Sequence, residues 1–244
     1  METGTALEVR RLGLRPYQEV WELQRELQKK LIASEAPETL LLCEHPPVIT
    51  IGRSGKKSNI LVAETELAAR GVTLFEVERG GDVTYHCPGQ LVAYPIINLS
   101  TKKRDVGWYM RTLEEVVIQT LQEFDIKGLR VAGKTGVWTQ PTENAIDFRL
   151  PAAPATLEYQ AKDLQKIASL GVRISRWCTM HGISLNVRDC REGFRLINPC
   201  GFTEIEMSSI EQVSGEVVSI EAVQSICIER FAKLFGFTDL VYRP

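Results

Sequence analysis

TLFEVERGGDVTYHCPGQLVAYPIINL, residues 73–99, holds two strand signals on either side of a glycine-rich break. Thr73 to Glu78 alternates apolar and polar as a strand does, then runs into Arg79-Gly80-Gly81. Leu91 to Leu99 reads as a further strand. Between them, paired glycines let the backbone approach a ligand closely with its amides free to point at it. Thr84, Tyr85 and His86 add hydrogen-bonding groups, and Pro88-Gly89 forces a turn. The same pattern also fits a plain β-hairpin with a glycine bend and a half-buried histidine.

Upstream, Tyr17, Val20, Trp21, Leu27 and Leu31 recur at helical spacing after Pro16, which predicts an amphipathic helix over 17–32. Thr39 to Cys43 and Val48 to Ile51 are short apolar runs split by His45-Pro46-Pro47. They read as strands around a stiff corner, because each proline fixes φ and removes a donor. Gly52 to Asn59 is small and basic, as an exposed loop would be. Downstream, the apolar positions from Val106 to Phe124 describe a helix. Ile167 to Ile174 and Ile183 to Val187 read as strands. Ser219 can cap a last helix with a stripe of Ile220, Val223, Cys227, Phe231 and Leu234. The segment between Trp138 and Lys166 carries Pro141, Pro151 and Pro154 without a sustained period. It reads as a surface insertion at about 139–164 within one domain spanning 1–244. The order predicts an α/β (α+β) fold, a mixed sheet flanked by helices.

The 244 residues are 44% hydrophobic and 25% charged, which excludes a disordered chain. A net charge of -2 gives no electrostatic reason for a nucleic-acid partner. The opening residues lack the basic-then-apolar order of a signal peptide, and no apolar run approaches the ~18 residues of a membrane span. Six cysteines without an export signal fit free thiols in a reducing cytoplasm.

Two more segments carry chemistry. Lys166 opens an apolar strand, Lys166-Ile-Ala-Ser-Leu-Gly171. Such a lysine is either a snorkelling strand end or, buried beside a thiol, a group that favours the thiolate and moves protons. Cys200 lies in Asn198-Pro-Cys-Gly201, where it is either a buried apolar residue or a nucleophile presented by a turn. Cys178 and His181 are spaced like half a zinc site, with Cys190 and Cys200 as the remaining candidates, but these spacings match no common finger. Gly52 to Lys57 lacks the glycine and Ser/Thr positions of a phosphate loop. No metal or cofactor is expected.

Glu44-His-Pro-Pro47, Gly52-Arg53, Arg79 to Gln90, Tyr94-Pro-Ile96, Gly136-Val-Trp138, Lys166 to Gly171, His181 to Asn186 and Ile197 to Gly201 occur in one order along the chain. Together they resemble the octanoyl-carrier-protein:protein octanoyltransferases, also called lipoyl(octanoyl)transferases. The resemblance implies a fold shared with biotin and lipoate protein ligases. It implies transfer of an octanoyl group from octanoyl-acyl-carrier protein to a lysine of lipoyl domains, through an acyl-thioester. The target domains would be those of 2-oxoacid dehydrogenases and the glycine cleavage H protein. Cys200 takes the nucleophile's place and Lys166 that of its partner. Substrate-binding stretches fall on Arg79, Gly80, Gly81, Asp82, Val83, Thr84, Tyr85 and His86, on Ser169, Leu170 and Gly171, and on Gly182, Ile183 and Ser184. Cys87 stands where the family usually has glycine, and the insertion after Trp138 is longer than usual. The competing expectations are an ATP-dependent lipoate or biotin ligase on the same fold and a non-catalytic acyl- or carrier-binding module.

Overall fold

The computed structural model describes residues 5–141, 164–198 and 206–243. The chain runs β1 (Ala6–Leu14), α1 (Tyr17–Ile32), β2 (Thr39–Glu44), β3 (Val48–Ile51), α2 (Glu64–Ala69), β4 (Thr73–Glu76), β5 (Val83–His86) and β6 (Gln90–Ile96). It continues with α3 (Val106–Gln122), β7 (Leu129–Val131), β8 (Lys134–Thr139), β9 (Gln165–Ser175) and β10 (Cys178–Asn186). The last elements are α4 (Arg191–Phe194), β11 (Glu206–Met207), α5 (Ile210–Ser214), α6 (Ile220–Phe235) and β12 (Asp239–Arg243).

The strands form a mixed nine-stranded sheet in the order β12-β1-β2-β6-β10-β9-β8-β7, with β11 added to β9. A second sheet has the order β4-β3-β5. The mixed sheet with flanking helices is as expected, but residues 73–99 do not form a hairpin. β5 pairs antiparallel with β3 in the small sheet, whereas β6 pairs with β2 and β10 in the large one. The proline corner at 45–47 makes the same crossing in the other direction, from β2 to β3. Glu44 Oε2 accepts from Gly89 N at 2.7 Å, tying the two crossings together.

Side-chain alternation along β2 explains the layers. Leu40 and Leu42 pack with Tyr109, Leu113, Val116 and Val117 of α3 and Val223 and Phe231 of α6. Leu41 and Cys43 face the other way, toward Val20, Leu27 and Leu31 of α1. A strand buried on both faces needs no polar alternation, so Thr39 to Cys43 reads as one apolar run. Ser219 caps α6 by accepting from Ala222 N, and Asp105 caps α3 through Trp108 N. The expected α6 stripe packs on this core, with Leu234 half-buried at its end, and Phe235 joins it, its ring centre 4.5 Å from that of Phe231. Gly52 is also buried rather than exposed, and only the rest of its loop faces solvent.

Candidate active site

The glycine loop between β4 and β5 is pinned from two sides. Gly52 N donates to Asp82 O, Arg53 N to Arg79 O and Ser54 N to Gly81 O, at 3.0–3.1 Å. Three of the amides that a phosphate loop would offer are therefore spent on this loop's carbonyls. A Cβ on Gly52 would meet Gly81 O at 2.4 Å, so the close approach requires glycine there. Gly80 N donates to Val172 O at 2.8 Å, which fastens the loop to β9. Arg79 is buried, and its guanidinium donates to Thr50 O at 2.7 Å and to Thr50 Oγ1 at 2.9 Å. Asp82 accepts from Val83 N at 2.8 Å and from Asn59 Nδ2 at 2.6 Å. These two charged residues organise the loop itself.

The loop forms one wall of a cavity of about 440 Å³. Arg79 to Thr84 and His86 line it together with Lys166, Ser169 to Gly171 and Gly182 to Ser184. The last two segments, far apart in sequence, are cross-strand partners: Ser169 opposite Ser184, Leu170 opposite Ile183, Gly171 opposite Gly182. Ser169, Gly171, Gly182 and Ser184, small residues that alternation puts on one face, keep one patch of the sheet open. Val92, Val106, Met110, Trp138, Leu170 and Ile183 give the cavity apolar walls. Tyr85 alone among the sequence-selected binding residues lies elsewhere. Strand alternation turns it into the core of the small sheet, edge-on to Phe194.

Lys166 is 3% exposed, which removes the reading of a snorkelling strand end. Its Nζ lies 5.4 Å from the centre of the Trp138 ring. Its stem crosses Gly136, where a Cβ would meet Lys166 Cε at 2.6 Å and Ala168 O at 2.8 Å. Cys200 lies outside the described residues. The described residues on either side are Asn198, whose N donates to Asn59 O at 2.7 Å, and Glu206 at the start of β11. In β11, Met207 pairs with Lys166, and Ser208 N donates to Lys166 O at 2.9 Å.

Three buried histidines complete the surroundings. His45 is buried and bonds Arg15 O through Nδ1 at 2.8 Å and the Tyr94 hydroxyl through Nε2 at 2.9 Å. His181 has a positive φ of 57°, and its N donates to Gln24 Oε1 at 2.8 Å. It stands beside Pro95, a proline inside β6 that cannot donate to the ladder. Burial drives His45 down to about 4 and His181 to about 3; burial and neighbouring His45 drive His86 to about 3. All three rings are therefore neutral near pH 7.

Cys87 does not line the main cavity. With Cys190 it lines a second one of about 360 Å³, under the small sheet. Hydrogen bonding to Cys87 and burial push the Cys190 thiol up. Cys178 packs beneath α1 and Cys190 beneath the small sheet, so these two zinc candidates belong to separate cores.

Residues 16–232 match the family described as lipoyl protein ligase A/B catalytic domain. An octanoyltransferase of Syntrophotalea carbinolica is 40% identical over 228 residues, covering 93% of this chain and 94% of its own. One from Gloeobacter violaceus is 41% identical over 225 residues, covering 92% and 88%. A solved lipoate-protein ligase A bound with ATP matches with a TM-score of 0.66 at 14% identity, over 99% of this chain and 88% of that one. That likeness fixes the fold alone. Fold and cavity define a catalytic domain of the lipoyl protein ligase A/B type. Within that class, the chain belongs to the octanoyltransferase family, acyltransferases that move octanoyl groups in protein lipoylation. No helix among the described residues is long and apolar enough to cross a membrane.

Proposed function

We propose that the enzyme takes its octanoyl group from octanoyl-acyl-carrier protein and delivers it to a lipoyl-domain lysine, by way of a thioester on Cys200. The acceptors would be lipoyl domains of 2-oxoacid dehydrogenases and the glycine cleavage H protein. The observation that carries this reading is the buried Lys166 in the wall of a largely apolar cavity that also gathers the glycine loop and the Ser169–Ser184 patch. A reducing cytoplasm is the proposed compartment, since Cys87 and Cys190 share a cavity as free thiols.

In the first step the Cys200 thiolate attacks the carrier thioester carbonyl. A new carbon–sulfur bond forms, the carrier thiolate leaves, and the acyl activation is conserved without a nucleotide. In the second, the lysine amine attacks that thioester, the carbon–nitrogen bond forms, and the Cys200 thiolate leaves. Lys166 takes the proton of the Cys200 thiol, passes it to the departing carrier thiolate and, neutral again, takes the proton the amine sheds. The octanoyl chain has six methylenes, and at ~0.8 kcal/mol for each one buried the apolar walls would contribute about 5 kcal/mol. Oxyanion donors narrow within Ser169 to Gly171. Val172 O points outward to Gly80, so strand alternation places the Leu170 amide on that same outer edge, with Ser169 and Gly171 facing β10.

Incubation with octanoyl-acyl-carrier protein alone should leave one octanoyl group on Cys200, labile to neutral hydroxylamine. Cys200→Ala should abolish the adduct and transfer, whereas Cys87→Gly should keep both. Lys166→Ala should fold but lose most transfer. An adduct mapped to Cys87, or a reaction that starts only when ATP is added to free octanoate, would overturn the reading.

A further inference from the structure

His86 sits at the end of a chain of amides whose orientation is forced. Asn186 Nδ2 donates to Ser208 O at 2.9 Å, and a backbone carbonyl can only accept, so Asn186 Oδ1 must face Gln90. Gln90 Nε2 donates to that Oδ1 at 2.9 Å and to Tyr85 O, another backbone carbonyl, at 3.2 Å. Gln90 Oε1 is thereby turned to His86 Nδ1 at 2.7 Å, where it can only accept. The proton of a neutral His86 is on Nδ1, and Nε2 carries a lone pair. All three side chains are buried, so solvent does not compete for these bonds. The ring lies against Tyr17, nearly parallel at 6.0 Å, and lines the main cavity. Among the described residues, no hydrogen bond engages Nε2.

An acceptor at this place needs a donor from the substrates. The octanoyl thioester offers none along its acyl chain, whereas the attacking amine must keep its own lone pair for the carbonyl and so presents its N–H groups. We propose that Gln90 and Asn186 are positioning residues that hold His86 in its Nδ1–H tautomer, so that Nε2 receives an N–H of the incoming lysine amine. This rests on the acyl-to-amine reading above. The depressed basicity of His86 suits orientation of the amine and leaves proton removal to Lys166.

The tautomer can be read without substrate. Long-range ¹⁵N–¹H spectra of the full-length enzyme, with His86 assigned through His86→Ala, should show a protonated Nδ1 and a bare Nε2. Gln90→Met should shift His86 toward the Nε2–H form. It should also slow lysine attack on pre-acylated enzyme by about tenfold, the worth of one hydrogen bond, and leave acylation by octanoyl-acyl-carrier protein within about twofold. Asn186→Leu should show the same split at smaller size. Gln90→Glu, which can still accept from Nδ1–H, should restore the tautomer. A wild-type Nε2–H spectrum, or equal slowing of both half-reactions in Gln90→Met, would overturn the relay and leave the transfer reading standing. Slowing confined to acylation would assign the donor to the carrier's amide groups and overturn the amine. Wild-type enzyme that acylates no lysine would instead overturn the reading on which the inference rests.

Discussion

Gly136→Ala tests whether the place of Lys166 is built by the strand beside it. Gly136 has φ +131°, and its added Cβ would lie 2.6 Å from Lys166 Cε, 2.8 Å from Ala168 O and 3.2 Å from Lys166 Nζ. The strained φ costs about 1–2 kcal/mol. The carbonyl belongs to β9 and cannot retreat without moving the sheet, so overpacking adds about 1–3 kcal/mol. A total of about 2–5 kcal/mol corresponds to a Tm roughly 4–20 °C lower for a chain of this size. The lysine stem must withdraw by about 1 Å to regain ordinary contact, and misplacement on that scale costs transfer about 100-fold. Gly236→Ala separates strain from crowding, because Gly236 has φ +75° but no heavy atom within 4 Å of the added Cβ. That control should lose about 1–2 kcal/mol and keep full transfer. Thermal unfolding followed by circular dichroism, with octanoyl transfer measured well below both midpoints, gives the two readouts. A Gly136→Ala enzyme with unchanged Tm and full transfer would refute the steric argument and, with it, the dependence of Lys166 on Gly136.

The three neutral histidines predict acid sensitivity. Their folded values of about 4, 3 and 3 lie below 6.5, so stability is complete above pH 6.5 and falls as the unfolded chain takes up protons that the folded chain refuses. At pH 5 the loss is about 2 kcal/mol per histidine, and a urea midpoint unchanged between pH 7 and pH 5 would contradict it. The segment after Trp138 is open to shortening, because Thr139 and Gln165 are cross-strand partners that a four- or five-residue loop can join. Replacing residues 141–163 with two or three residues, which with Gln140 and Leu164 make such a loop, should leave Tm within a few degrees, and a larger fall would show that the segment packs on the core.

The helices α1, α3 and α6 were readable because each buries one stripe, and period 3.6 survives in local sequence. β1 carries no such signal: only Leu7, Glu8 and Val9 of its nine residues are buried, and Arg10, Arg11 and Gly13 interrupt any alternation. The hairpin of β9 and β10 was hidden for another reason. Its two-residue turn is Arg176-Trp177, both at positive φ, where asparagine or glycine would have announced it. At the site, glycines marked the loop and the patch, because they are needed wherever backbones approach closely. The burial of Lys166 depends on Gly136 and Trp138 from another strand, and the bond from Gln90 to Asn186 spans 96 residues. Contacts of that kind leave no local period.

The two-sheet arrangement explains why residues so far apart converge. The chain leaves the large sheet after Glu44, builds β3, β4 and β5, and re-enters the large sheet at Gln90. His86 ends the small sheet and Gln90 begins β6 of the large one, so the bond between them crosses the joint. The Glu44–Gly89 bond closes the joint at its other side. Alternation along β5 then sends Thr84 and His86 toward the cavity and Tyr85 into the small sheet's core, where Gly193 leaves room for its ring. Any side chain at Gly193 would strike Tyr85, with a Cβ only 1.9 Å from Cε1, so the ring would have to leave its place in that core. The small sheet's core reaches the cavity itself at Val83, so the cavity holds its shape only while both sheets are packed.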